Sequence, residues 1–294
     1  MGFLKVSDNC ILCGRCVDIC PRYIFQIDKT KSKKVIINEN VQYCHDCGHC
    51  VAICPQDAIV NTRMGDNLDV DFPLVPSNID YEKALSFIRL RRSIRKFKSE
   101  LISEEKVKQL LEFSRFAPTG HNTNAVEYTI IIGRDKIDVL WGETIQLMKE
   151  VIRKINNPFW VGIAFLAGKK NFVNEAKKNE YRLNSHIINF ENKKDTIFHG
   201  APMLILLHTG KKAASPIEDC AIASENIMLG ANTLGLGATI IGYFVRAWKH
   251  SKKIKKLVNL PKGHILHSCL SVGVPTYNFR RLVPRPEPNI SFIK

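Results

Sequence analysis

Cysteine is nearly absent from the last 240 or so residues of this 294-residue chain, where only Cys220 and Cys269 occur. That scarcity excludes a disulfide framework for most of the protein. Both residues stand in apolar helical or strand-like contexts, so core packing is expected of them rather than redox work. The N-terminus, MGFLKVSDNC, has no apolar h-region and no small-residue cleavage site. No signal peptide is therefore expected, and the compartment reads as a reducing cytosol. No GxGxxG follows the first strand pattern of the longer C-terminal part, which argues against a dinucleotide-binding Rossmann domain. Aromatic and basic residues do not interleave as they do in nucleic-acid readers, so no nucleic-acid partner is expected. Charge is missing from Asn226 to Val245, twenty residues in all. Four glycines with Asn226, Asn232 and Thr233 interrupt that run, so a buried helix, turn and strand is expected, and no membrane span.

Acidic residues are also unevenly scarce. Residues 1–79 carry 8 Lys/Arg against 9 Asp/Glu, whereas residues 80–294 carry 35 against 19. The whole formal excess of +15 therefore lies in the second part, which reads as a lysine-rich solvated surface or a face for an acidic partner.

What is present in abundance is cysteine at the front. CILCGRCVDICP (Cys10 to Pro21) returns 34 residues later as CHDCGHCVAICP (Cys44 to Pro55). C-x2-C-x2-C-x3-C-P is the spacing of bacterial-type ferredoxins, in which the fourth cysteine of each run serves the other cluster. Cys10, Cys13, Cys16 and Cys54 are thus expected to hold one [4Fe–4S] cluster, and Cys44, Cys47, Cys50 and Cys20 the second. Zinc knuckles usually want a longer gap between paired C-x2-C units. Gly14 and Gly48 follow the second cysteine of each copy, where a side chain is expected to crowd the cluster. His45 and His49 read as surface residues, since eight thiolates already fill the ligand places. So few apolar residues would hardly fold some sixty residues without a metal core.

The composition divides the chain into residues 1–62, a proline- and Asp/Asn-bearing linker at 63–79, and residues 80–294. In the last segment helices are expected at 80–91, after an N-cap at Ser103, at 135–155 and at 216–234. Strands are expected at Glu127–Ile132, Met203–His208, Ala238–Phe244 and His264–Val274, giving an α+β pattern with a central sheet.

Clusters move single electrons, and the usual bridge to two-electron chemistry is a flavin. Arg91, Arg92, Ser93 and Arg95 gather around a helix end, where forked guanidiniums suit a phosphate and one more arginine suits a reduced isoalloxazine. RRSxRxF followed by APTGxNxN (residues 117–124) resembles the nitroreductase family of FMN enzymes. With DTIFHGAPMLILLH (195–208), residues 215–244 and the tail SVGVPTYNFRRLVPR (271–285), the whole chain resembles ferredoxin-fused nitroreductases.

The resemblance implies a small ferredoxin-like domain with two [4Fe–4S] clusters, followed by a nitroreductase-like α+β domain with a central mixed sheet flanked by helices. It implies FMN at the interface of a homodimer. Arg91 and Ser93 would hold its phosphate or ribityl chain with Arg92 nearby, and Arg95 would face the pyrimidine edge. Pro118, Thr119, Gly120, Asn122 and Asn124 would come from the partner subunit. The family mostly carries Gln-Pro where Asn124-Ala125 stands here, and Asn is one methylene shorter. Ile240, Ile241 and Gly242 would run beside the ring, and Arg281 would close on the phosphate, with Arg280 and Arg285 competing for that role. No side-chain nucleophile is implied. His121 is the histidine placed to act as a proton donor, and the segment 141–195 would shape access, with Trp160, Phe172, Tyr181 and Phe190 as candidate aromatics.

The function expected is an oxidoreductase that passes electrons through the clusters to FMN and on to a small acceptor, such as a nitroaromatic, a quinone or an activated alkene. The donor expected is reduced ferredoxin or another low-potential carrier. The competing expectation is an electron-transfer or redox-sensing module that docks an acidic redox protein without turnover.

Overall fold

The computed structural model describes residues 2–28, 34–64 and 79–294. They form two compact units: Met1–Asp80 with Gly120–Thr123, and Tyr81–Thr119 with Asn124–Lys294. Of the expected linker, residues 65–78 lie outside the described residues. No helix among the described residues is long and apolar enough to cross a membrane.

In the first unit the order is β1 (Leu4–Val6), α1 (Arg15–Ile19), β2 (Phe25–Ile27), β3 (Val35–Ile37), α2 (His49–Ala52) and β4 (Ile59–Asn61). Two antiparallel pairs result, β1 with β4 and β2 with β3. The sequence repeat reappears in the backbone: each short helix is entered through a left-handed glycine, Gly14 at φ 76° and Gly48 at φ 74°. Backbone conformation thus gives both glycines a reason of their own. The core is small, with Leu4, Ile24, Phe25, Val35 and Ile59 packed among the cysteines.

The second unit contains α3 (Tyr81–Leu90), α4 (Glu104–Arg115), β5 (Val126–Ile132), α5 (Arg134–Ile155), α6 (Pro158–Leu166), α7 (Lys170–Lys178), α8 (Glu180–Glu191) and β6 (Met203–Thr209). It continues with α9 (Pro216–Thr233), β7 (Gly237–Ile240), α10 (Gly242–His250), α11 (Lys252–Val258) and β8 (Ile265–Gly273). Ser103 caps α4 by accepting from the Lys106 N–H, and Pro216 opens α9 with Glu218 and Asp219 in its first turn. The four named strands pair antiparallel in the order β5-β6-β8-β7. A parallel bridge from Ser93 to Ala238 adds the RRSIRKF segment beyond β7 and makes the sheet mixed.

β6 is buried along its whole length, as a central strand covered on both faces must be. Leu204 and Leu206 join a core with α5 and α10, while Met203, Ile205 and Leu207 join one with α4 and α9. Full burial of each such side chain contributes roughly 1.5–3 kcal/mol. Where β6 meets β8, Leu207 pairs with Ser268 but His208 pairs with Leu266, so His267 is an extra, bulged residue. The bulge lets Leu266 and Cys269 share one core despite their odd spacing.

One strand expectation needs correction. Ala238–Phe244 is strand only to Ile240, and α10 starts at Gly242. The Ile241 N–H closes the ladder on the Cys269 carbonyl at 2.8 Å, after which Phe244, Ala247 and Trp248 turn inward at helical spacing. Between the two cysteine runs, only Val35–Ile37 of VIINENVQY is strand, and Glu39–Tyr43 is a 3-10 turn. The segment 141–195 is helical, which the sequence patterns left open after residue 155.

The docking of RRSIRKF depends on a missing side chain. A Cβ on Gly237 would lie 2.4 Å from the Ile94 Cγ1 and 2.8 Å from its Cβ. Gly237→Ala is therefore expected to push that segment off β7 and to lower stability by about 1–3 kcal/mol. Chemical denaturation of the two proteins measures the loss.

Candidate functional site

The eight front cysteines fall into two sets. Cys10, Cys13, Cys16 and Cys54 line one cavity with Pro55, and Cys20, Cys44, Cys47 and Cys50 line another with Pro21. Each set takes three cysteines from one run and the last from the other. Their donor chemistry fits an iron–sulfur cubane, which is held by four thiolates. Backbone N–H groups already face the sulfurs, from Asp46 to the Cys44 Sγ at 3.4 Å and from Ala58 to the Cys54 Sγ at 3.3 Å. Burial, then the charge of Cys10, raises the Cys16 pKa, and burial with Cys47 pushes Cys50 up to about 11. Cys16 and Cys50 thus resist ionisation until a cation offsets the charge. His45 is half-buried and accepts from the Arg22 Nε–H at 3.0 Å, and His49 is exposed.

The second unit sets the RRSIRKF segment beside β7, the strand that ends at Ile240. The Ile94 N–H donates to the Ala238 carbonyl at 3.1 Å, which sets Ser93 and Arg95 beside β7. Arg91 pairs through Nε with Glu225 at 2.8 Å. The Arg92 guanidinium lies 5.7 Å from the Phe279 ring centroid, so the tail that carries Arg281 begins beside this segment. Arg92 Nε is buried and has no partner among the described residues. Ile241 is buried, Ile240 is half-exposed, and Gly242 has open space where a side chain would stand. An orphaned guanidinium nitrogen, further arginines and an open helix start suit an anionic, planar ligand such as FMN.

The APTGHN loop divides. Pro118, Thr119 and Asn124 belong to the second unit, whereas Gly120, His121 and Asn122 fall with the first. His121, Asn122 and Asn124 all have left-handed backbones, and the Asn124 N–H donates to the Thr119 Oγ1 at 3.0 Å. Of the candidate access aromatics, Phe190 packs edge-on against Trp141 at 4.6 Å as core, while Phe172 and Tyr181 are exposed.

Sequence reasoning missed a cluster around His199. Asp195 accepts from the N–H groups of Ile197, Phe198 and Gly200 at 3.0, 2.8 and 3.1 Å, and pairs with Arg134 at 3.1 Å. This turn holds His199 in a left-handed conformation, φ 61°. Burial lowers the His199 pKa; nearby Asp195 opposes the shift and Arg95 adds to it. His186 bonds to the Thr196 Oγ1 at 2.8 Å and meets Tyr243, the neighbour of Gly242, at 4.8 Å between rings. Burial lowers the His186 pKa as well. His199 therefore stands within electrostatic reach of Arg95, and His186 packs against Tyr243, which follows Gly242 in the chain. The Asp-Thr…His-Gly pattern was a legible turn signal, but its neighbour Arg95 lies a hundred residues away.

Residues 88–274 match the nitroreductase family model, and residues 9–58 match that of the 4Fe-4S dicluster domain. The chain belongs to the nitroreductase family. This nitroreductase-family oxidoreductase is 22% identical, over 66% of its length and 86% of the relative's, to an Archaeoglobus fulgidus protein named as an NADH dehydrogenase/NAD(P)H nitroreductase. Its fold is similar to that of a nitroreductase with bound FMN from Bacteroides fragilis, with TM-score 0.51, 17% identity, 72% of this chain and 99% of the other. It is also similar to a BluB-like flavoprotein from Clostridium difficile, with TM-score 0.53, 19% identity, 74% of this chain and all of the other. The nitroreductase-type α+β expectation is thus met, together with the fused dicluster domain.

Proposed function

We propose that this nitroreductase-family protein carries two [4Fe–4S] clusters and FMN, accepts electrons from a low-potential carrier such as reduced ferredoxin, and reduces a small nitroaromatic, quinone or activated alkene. The observation that carries this reading is the gathering of eight cysteines into two sets of four in a chain whose longer part is a nitroreductase. When bound, FMN supplies hydride and single-electron transfer, and the clusters supply single electrons. The residues' own tasks follow from their chemistry. Arg91, Arg92, Ser93 and Arg281 would hold the phosphate end, and Arg95 would favour negative charge on the ring. Ile240, Ile241 and Gly242 would leave one edge open, and His199 would present a neutral N–H beside Arg95. Fusion keeps the electron carriers at high effective concentration near the flavin.

A homodimer with Pro118, Thr119, Gly120, Asn122 and Asn124 lining the partner's flavin is part of the proposal. The tail after β8 supports it, because Tyr277, Phe279, Phe292 and Ile293 are exposed and unpaired apolar surface of this kind favours association. The free cysteines favour a reducing cytosol.

The test is anaerobic purification and reconstitution, with counts of iron and FMN and turnover driven by reduced ferredoxin. About eight irons and one FMN per chain, with an acceptor turned over, are expected. Absence of FMN binding after reconstitution would sink the enzyme reading. Rapid reduction without turnover across a broad acceptor panel would favour the electron-transfer module instead.

A further inference from the structure

Two strands of the second unit and the residue just before a third bring a second donor cluster together, and none of its members belongs to the cysteine sets or to the expected flavin site. Glu127 on β5 lies directly opposite His208 on β6, so their side chains share one face of the sheet. His208 pairs with Leu266, and His264 stands just before β8, two residues ahead of Leu266. One ligand atom from each of Glu127, His208 and His264 lies within 4.8 Å of the other two. The two Nδ1 atoms of His208 and His264 are 2.9 Å apart. The Glu127 carboxylate is 3.7 Å from the His264 Nε2.

We propose that Glu127, His208 and His264 bind one divalent transition-metal ion of the zinc type. Two imidazoles and a carboxylate form a borderline N2O donor set, which suits zinc, cobalt or nickel and disfavours the hard ions calcium and magnesium. Zinc–nitrogen bonds of about 2.0–2.1 Å at a tetrahedral angle put two ligand nitrogens about 3.3–3.4 Å apart. The Nδ1 pair therefore needs only a small outward adjustment for the ion to replace the proton the two nitrogens share. Thr129 meets the other nitrogen of His208, Nε2, at 2.9 Å. Such an outer partner orients a ligating imidazole and leaves its Nδ1 free for the metal.

Burial is graded: His208 is 1% exposed, the His264 side chain 13% and the Glu127 side chain 57%. The two imidazoles are anchored and the carboxylate is free to swing onto the ion. Solvent on the Glu127 side gives the ion its route in and a water for its fourth position. The bound ion would clip the edge strand β5 to β6 and β8.

The experiment uses iron-loaded full-length protein titrated anaerobically with Co2+ and then Zn2+. The expected result is one Co2+ per chain with tetrahedral ligand-field absorption, no thiolate charge-transfer band, an unchanged iron count and displacement by Zn2+. Thr129→Val, which leaves all three ligands in place, is expected to weaken binding about 10–100-fold. His264→Gln is expected to weaken it further. Absence of stoichiometric cobalt, a thiolate signature, or affinity in both variants equal to that of the unmodified protein would overturn the proposal.

Discussion

Cys54→Ser is expected to remove about four of about eight irons, and the irons lost are those of the cluster served by Cys10, Cys13 and Cys16. Cys54 belongs by sequence to the second run, yet it lines the cavity of the first. A serine oxygen replaces a soft thiolate poorly at iron. Double variants separate the crossed arrangement from a local one, because groups that act as a unit are not additive. Cys13→Ser with Cys54→Ser is expected to lose no more iron than either change alone. Cys47→Ser with Cys54→Ser is expected to lose nearly all of it. Iron counts with electron paramagnetic resonance of the reduced proteins measure both. Equal, local losses within each run would refute the crossing.

The second large effect is expected at Asp195→Ala. The Asp195 side chain is 7% exposed and accepts three backbone N–H groups while pairing with Arg134. Arg134 also donates to the Ala201 carbonyl at 3.1 Å and pairs with Asp138, so it anchors the same turn from a second direction. Removal of the carboxylate leaves a partly buried guanidinium and three N–H groups short of an acceptor. A loss of about 3–5 kcal/mol is expected. For a unit of this size that lowers the melting temperature by roughly 6–20 °C. Asp195→Asn keeps one acceptor oxygen and is expected to lose distinctly less. Because the turn carries His199, the alanine variant is also expected to change the pH profile of acceptor reduction, which a remote destabilising change would leave alone. Thermal unfolding and a pH series on the same preparations check the two effects together.

Local order was legible to the extent that it is written in short spacings. Ser103 announced the cap of α4, and the helix buries Val107, Leu110 and Ser114 below it. The apolar run Met203–Leu207 announced the strand β6, which is buried along its whole length. The run from Asn226 to Val245 shows where such reading fails. Without charge it has no polar face to phase the pattern, so the end of β7 and the start of α10 depended on where Phe244 and Trp248 find core.

By itself, the sequence determined the two cysteine runs, their iron–sulfur chemistry and the α+β alternation of the longer part. Thiolate spacing and hydrophobic periodicity are properties of neighbours within a few residues. Only the tertiary structure decided that His199 comes within electrostatic reach of Arg95, that Asp195 and Arg134 hold its turn, and that Glu127, His208 and His264 converge. Those groupings join residues up to about 140 positions apart. They arise from strand register, the bulge at His267 and the docking of RRSIRKF against Gly237, and no local pattern encodes such pairings.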